Sequence, residues 1–275
     1  FAFDLIPASL LSNTVVVKTA TPDLPGDFSG GLVQVNTLEF PVERVFRVEL
    51  GGSQNEYSTG KAARSGQGGS WDWLGKDDGS RKQEDVRADY SGTALAQHLT
   101  NNWGLVNIEN PRNESYGISY GDRFGLGGKD LGILGALTYK AAHQNLNFVE
   151  QTSPGSVRTE VSGTRYRYDV MWGGLLNMSF KLSDNHTFSA KTNFIRSAKG
   201  LVSEATGKPA SADSLKNQSI EWNERTLFLG QFGGKHKIPF IRRRPIEAEW
   251  STFYSKTNAS EPDRKNVDYQ PHAWI

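Results

Sequence analysis

Residues 164–182 read TRYRYDVMWGGLLNMSFKL. From 166 onward every even position holds an apolar residue or glycine, namely Tyr166, Tyr168, Val170, Trp172, Gly174, Leu176, Met178, Phe180 and Leu182. Polar residues or glycine fill the odd positions, and only Met171 and Leu175 depart from this pattern. A β-strand collects alternate residues on one face, whereas a helix would scatter them around its surface. The stretch therefore predicts a long β-strand with one apolar face.

The same alternation of apolar and polar residues recurs along most of the chain. It is found around residues 46–50, 116–124, 131–139, 188–194, 222–232 and 246–254. With the stretch at 164–182, the sequence predicts seven strands after residue 41.

Composition limits the class of protein. The chain of 275 residues has 31 basic and 30 acidic residues, so its net charge of +1 gives no reason to expect a nucleic-acid partner. It has no cysteine, which excludes disulfides and thiolate metal sites. The mean hydropathy of −0.54 suits a water-soluble protein, but transmembrane β-strands also average low because only alternate residues face lipid.

The connections between the predicted strands alternate in length. Those at 125–130, 183–185 and 239–245 are short. The polar and glycine-rich stretches at 52–114, 144–163, 199–217 and from 256 onward are predicted as long loops. Short turns on one side and long loops on the other are typical of an outer-membrane β-barrel. The first long loop is predicted to contain a helix between Ser91 and Asn101, with Ser91 as its cap.

Strand length and number indicate a large barrel. A tilted strand crosses a membrane in about 9–11 residues, and the stretch at 164–182 is longer. Seven strands cannot close a barrel, since an open edge in lipid would leave backbone groups unpaired. The chain begins at Phe1 with neither an initiator Met nor a signal peptide, and it ends after a polar stretch, so both ends are interpreted as cuts. The sequence is therefore predicted to be an interior piece of a larger barrel.

Residues 1–40 are predicted to form a separate unit, and residues 41–275 the barrel strands and loops. The stretch Pro7–Leu11 suits a short helix. Thr14–Val17 and Leu32–Thr37 are predicted strands, and prolines and glycines between them indicate a loop.

The segment 15–37 reads VVVKTATPDLPGDFSGGLVQVNT. It resembles the closing segment of the plug domain in TonB-dependent outer-membrane receptors, particularly those that often carry an extra N-terminal carboxypeptidase-regulatory-like domain. In that segment a strand ending in Lys or Arg is followed by a Pro/Gly loop, a Gly-Gly pair and a Val-x-Val-x-Thr strand. The residues that carry the resemblance are Lys18, Pro22, Asp23, Gly26, Asp27, Phe28, Gly30 and Gly31.

The resemblance implies an all-β transmembrane barrel of about 22 strands, of which about seven antiparallel strands are present here, preceded by the end of a small α+β plug domain. It implies a location in the cell outer membrane and active uptake of a scarce nutrient, such as a siderophore, vitamin, glycan or peptide. TonB would act through a box upstream of residue 1, with energy from the proton gradient and no cofactor. A passive porin or adhesin barrel, an outer-membrane enzyme and a soluble periplasmic β-protein remain the alternatives.

Candidate ligand or catalytic residues are few. Trp71, Trp73 and Trp103 in the first long loop are weak candidates for stacking on a sugar or aromatic ligand, with packing inside the loop as the alternative. The carboxylates of Asp72, Asp77 and Asp78 lack the spacing of a calcium loop. The five histidines lack zinc-ligand spacing, and no nucleophile motif is present. The sequence predicts neither a metal site nor an enzyme.

Overall fold

The computed structural model describes residues 11–19, 31–37, 43–81, 103–152, 159–208, 215–239 and 246–269. Nearly all of these residues lie in antiparallel β-strands, and within these ranges there is no α-helix. In the same ranges no helical segment has the length and apolar character needed to cross a membrane. The helices predicted at 7–11 and 91–101 lie outside the described residues, apart from Leu11, which begins a strand.

Two strands near the N-terminus form a small sheet of their own. Strand β1 (Leu11–Val17) pairs antiparallel with β2 (Leu32–Thr37), and Val16 lies opposite Val33. Both strands were expected from their β-branched residues, and both predictions are confirmed.

Nine strands follow, and seven of them form one antiparallel sheet. The nine are β3 (Val45–Ser53), β4 (Ala62–Gly66), β5 (Leu105–Glu109), β6 (Asn113–Leu126), β7 (Lys129–Thr152), β8 (Thr159–Ser183), β9 (His186–Lys208), β10 (Leu215–Ile238) and β11 (Ile246–Tyr269). The order across the large sheet is β11-β10-β9-β8-β7-β6-β3. Strands β4 and β5 pair separately within the first long connection. The seven strands predicted after residue 41 are confirmed, and each lies where the alternation placed it.

The register carries the alternation across the whole sheet, because directly paired residues point to the same face. Leu137 pairs with Gly174, which pairs with Phe194, and Phe194 pairs with Phe228. We call this side the apolar face. The row three positions further along β8 lies on the opposite side, which we call the polar face, and it includes Asn177, Lys191 and Gln231.

The apolar face is the more exposed of the two. Leu176 and Met178 on this face are 46% and 39% exposed, whereas Asn177 and Ser179 on the polar face are 4% and 1% exposed. A sheet in a water-soluble protein buries its apolar face instead. The large sheet therefore leaves apolar side chains more exposed than polar ones in this part of β8.

The prediction of long loops at 144–163, 199–217 and from 256 onward is wrong. Strands β7, β8 and β9 contain 24, 25 and 23 residues, and β10 and β11 contain 24 each. The five strands continue through most of those stretches. Polar residues dominate these strand ends, and the few apolar ones, such as Leu146 and Phe148, do not alternate over the length of a strand. Polar cross-strand pairs help to maintain the ladder there. Thr164 Oγ1 donates to Asn147 Oδ1 at 2.9 Å, and Gln151 Nε2 donates to Glu160 Oε2 at 3.1 Å.

Two of the predicted short turns are confirmed. Gly127 and Gly128 join β6 to β7 with φ of 57° and 80°, the left-handed conformation that a two-residue hairpin turn requires. Asp184 and Asn185 join β8 to β9. The third short connection falls at 240–245, outside the described residues.

Candidate functional site

The beginning of the first long connection covers an unpaired edge of the sheet. Strand β7 extends beyond the start of β6, so its backbone N–H groups there lack a neighbouring strand. His143 N donates to Asn113 Oδ1 at 2.8 Å, and Asn145 N donates to Ser58 Oγ at 2.9 Å. Ser58 is fully buried by this contact. The connection therefore caps backbone groups that would otherwise remain unpaired.

The middle of the first long connection packs onto the apolar face of the sheet. A short 3₁₀ helix (Asp72–Leu74) ends at Gly75, whose φ is 64°. Trp172 Nε1 donates to Leu74 O and Arg196 Nε donates to Gly75 O, both at 2.8 Å. A Cβ on Gly75 would lie 3.2 Å from that of Ala198. Glycine thus allows both the left-handed turn and the close approach to β9.

Arg81 is the central residue of this contact. Its side chain is 6% exposed, and its guanidinium lies 4.3 Å from the centre of the Trp222 ring. Nη1 donates to Asp72 Oδ1 at 2.6 Å and to Asp77 Oδ1 at 3.2 Å. A planar cation that stacks on an indole and binds carboxylates in its plane is well suited to a buried position.

An ion pair within the sheet also contacts the connection. Glu224 Oε2 on β10 accepts from Arg196 Nη2 on β9 at 2.9 Å, and Glu224 Oε1 accepts from Trp222 Nε1 at 2.9 Å and from the backbone N of Asp77. Charged side chains of β9 and β10 therefore hold the connection through its backbone groups.

The acidic residues of the connection have structural partners. Asp78 Oδ2 accepts from both N and Oγ of Ser70 at 2.8 Å. Hydrogen bonds from the backbone N of Ser70, and from Ser80, hold the pKa of Asp78 well below its usual range. Within the described ranges no group of three His, Cys, Asp or Glu side chains is arranged to hold a metal ion.

A cavity of about 240 Å³ lies between the connection and the apolar face. Among the described residues its lining includes Arg64, His143, Tyr168 and Trp222. The His143 and Tyr168 rings stack with centroids 4.5 Å apart.

The structure does not assemble the three predicted tryptophans into one platform. Trp71 and Trp73 lie on the 3₁₀ turn, 47% and 57% exposed, with Lys76 Nζ 4.5 Å from the Trp71 ring. Trp103 lies beside β10, where its carbonyl accepts from Gln218 Nε2 at 3.2 Å. Among the described residues none of these three lines the cavity, whereas Trp222 does. For Trp222 the sequence predicts only a place in the alternating pattern of its strand.

Two of the residues that carry the plug resemblance are described. Lys18 follows β1 directly, and Gly31 directly precedes β2, where a Cβ would lie 3.9 Å from Val17 O. Pro22, Asp23, Gly26, Asp27, Phe28 and Gly30 lie outside the described residues.

A larger groove of about 590 Å³ lies on the polar face, near the ends of β7–β10 farthest from the two-residue turns. Arg165, Arg167, Lys199 and Glu221 line it together with Phe148. Its charged lining and open position make it the second candidate site.

Comparison with known proteins gives no relative. No family model, curated protein or solved structure matches this chain.

Proposed function

We propose that this chain forms part of the wall of an outer-membrane β-barrel that works in TonB-dependent uptake of a scarce nutrient. The observation that carries the proposal is the exposed apolar face of the seven-stranded sheet. Leu176 and Met178 are much more exposed than Asn177 and Ser179 between and beside them. An exposed apolar face is stable in contact with lipid, and the polar face suits a water-filled or plugged lumen.

The connectivity of the sheet supports a barrel wall. Six of its strands, β6 to β11, are neighbours in chain order, and all are antiparallel, as in an up-and-down barrel. Within the described residues β3 and β11 are edge strands. Because lipid cannot satisfy the backbone groups of an open edge, further strands are proposed to pair with both edges and complete the barrel.

The uptake function rests on the N-terminal segment. The antiparallel pairing of β1 with β2 brings the two ends of the plug-like phrase together, and Lys18 and Gly31 lie at its two boundaries. The proposed plug blocks the lumen until TonB acts on a box upstream of residue 1. A siderophore, vitamin, glycan or peptide is the proposed cargo class.

Spin labels on β10 test the membrane arrangement. The chain has no cysteine, so single cysteines can be placed at each position from 228 to 233 of the intact protein in lipid vesicles. We expect accessibility to dissolved oxygen to peak at the even positions, which lie on the apolar face, and to fall at the odd positions. A water-soluble nickel complex should fail to reach the even positions. Free access of the nickel complex to Phe228 and Phe232 would contradict the lipid-facing assignment.

Uptake itself is tested in cells that produce the intact protein. We expect growth on the limiting nutrient to be lost when TonB is deleted and also when Lys18 to Thr37 is removed from the receptor. A passive porin would instead support the same growth with and without TonB. Expression at the outer membrane, measured by surface labelling, controls for failed assembly.

A further inference from the structure

The polar face carries many charged side chains, and most are paired. Near the groove, Arg165 Nη2 lies 2.5 Å from Glu150 Oε1, and Arg167 Nε lies 2.5 Å from Asp169 Oδ2. These pairs neutralise the charges on β7 and β8.

Strands β9 and β10 carry cations that remain without a partner. Among the described residues, Lys191, Lys199 and Arg225 make neither an ion pair nor a side-chain hydrogen bond. Lys199 lies opposite Asp169, but that carboxylate is already held by Arg167. The wall therefore has an excess of positive charge on two adjacent strands.

Lys199 and Arg225 both contribute to the positive potential in one region of the polar face. Lys199 pairs with Asn223, two residues before Arg225, so the two cations are diagonal neighbours on one face at about 7–8 Å. Glu221 is the nearby carboxylate without an ion pair, and Arg264 lies directly opposite it on β11. An anion that enters this region meets a positive potential that the wall itself does not cancel.

The groove beside Lys199 also offers apolar surface. Leu146, Phe148 and Leu201 line it, and its floor is made of the small residues Ser203, Ala205 and Ser219. Gly163 faces Ala205, and a Cβ on Gly163 would lie 2.1 Å from Glu204 O. The close approach of β8 and β9 at this glycine keeps the floor flat.

We propose that this groove binds an organic anion that carries an apolar portion, and that such a molecule is the cargo. Lys199 contacts the anionic group, Arg225 adds to the positive potential, and Phe148 with Leu201 contacts the apolar portion. The proposal rests on the proposed function, because only in a barrel does the polar face line a path for cargo.

Three probes with one skeleton test this assignment. 2-Naphthoate, 2-naphthyl phosphate and neutral 2-naphthamide are titrated into the intact protein in detergent, and binding is measured by equilibrium dialysis. We expect the anions to bind at least about tenfold more tightly than the amide, with affinity falling as salt rises. The tighter of the two anions identifies a carboxylate or a phosphate as the preferred group.

Charge reversal at Lys199 supplies the decisive variant. Lys199→Glu should weaken both anions about tenfold or more and leave the amide unchanged. Lys199→Gln removes the positive charge without adding a carboxylate, so it should give a smaller loss of anion affinity in the same direction. It replaces Lys199→Glu in the test if the reversed charge disturbs assembly. Lys216→Glu is the matched control, because Lys216 is exposed on the same strand as Arg225 but on the opposite face.

Two results would overturn the assignment: equal binding of naphthamide and naphthoate, or equal loss in the Lys199 and Lys216 variants. Neither result depends on TonB. If the protein fails to bind the anions but uptake still depends on TonB, only the groove assignment is wrong. If growth is independent of TonB, the proposed function is wrong, and the binding result is unaffected.

Discussion

In the proposed membrane barrel, replacement of Phe232 by arginine is expected to destabilise the protein by about 2–4 kcal/mol. Phe232 is 47% exposed on the apolar face, near the middle of the apolar rows of β10. A guanidinium at that depth must be desolvated or must draw water into the lipid. Equilibrium urea unfolding of the protein in lipid vesicles measures the change.

The neighbouring residue supplies the control for Phe232→Arg. Gln231 is also exposed but lies on the polar face, where an added cation stays hydrated. Gln231→Arg should change the free energy of unfolding by less than about 1 kcal/mol. Equal destabilisation by the two variants would remove the distinction between a lipid-facing and a water-facing side.

Replacement of Arg81 by methionine is expected to release the first long connection from the sheet. The change leaves the carboxylates of Asp72 and Asp77 without their cation while both are largely buried. Loss of one partner from a buried ion pair destabilises by about 3–5 kcal/mol, and the stacking on Trp222 is lost as well. Hydrogen exchange of residues 62–81 should become fast, with the strands of the large sheet unchanged.

Arg64 provides the matched variant for Arg81. It forms an ion pair with Glu204 at 3.4 Å, and its side chain is 39% exposed, so solvent screens the interaction. Arg64→Met should therefore alter exchange of the same segment by the equivalent of less than about 1 kcal/mol. Similar acceleration in both variants would show that Arg81 has no special role.

The strands were predictable where one of their faces is apolar. Positions 166–182 alternate so regularly that both the strand and its apolar face follow from the sequence, and the register then places Phe194 and Phe228 on the same side as Gly174. The glycine pair at 127–128 and the polar pair at 184–185 marked the turns equally clearly. In these stretches the local pattern and the tertiary environment favour the same structure.

The strand ends were not predictable because polar residues dominate them and their few apolar residues do not alternate over the length of a strand. Thr164 and Asn147 form a cross-strand hydrogen bond, but each residue alone is equally common in loops. Apolar and polar residues alternate along a strand only where its two faces meet different environments, and the alternation is absent where the two environments are similar. The predicted loops at 144–163 and 199–217 failed for this reason.

The site was less accessible to sequence reasoning than the strands. Arg81 and Trp222 are brought together only by the fold of the first long connection, and no local motif links them. The sequence indicates Trp71 and Trp73 as candidates for stacking on a ligand because they are aromatic residues of a long loop, yet neither lines the cavity. The register places Lys199 opposite Asp169. Only the side-chain contacts show that Asp169 forms its ion pair with Arg167 instead.

In the proposed outer-membrane barrel, an apolar band about 25 Å tall would accommodate only part of each strand of 23 to 25 residues. The remainder would stand above the membrane as a paired rim. An antibody or phage that approaches this surface would meet side chains contributed by neighbouring strands rather than one continuous loop. Its epitope would depend on the register of the sheet and would be lost when the protein is denatured.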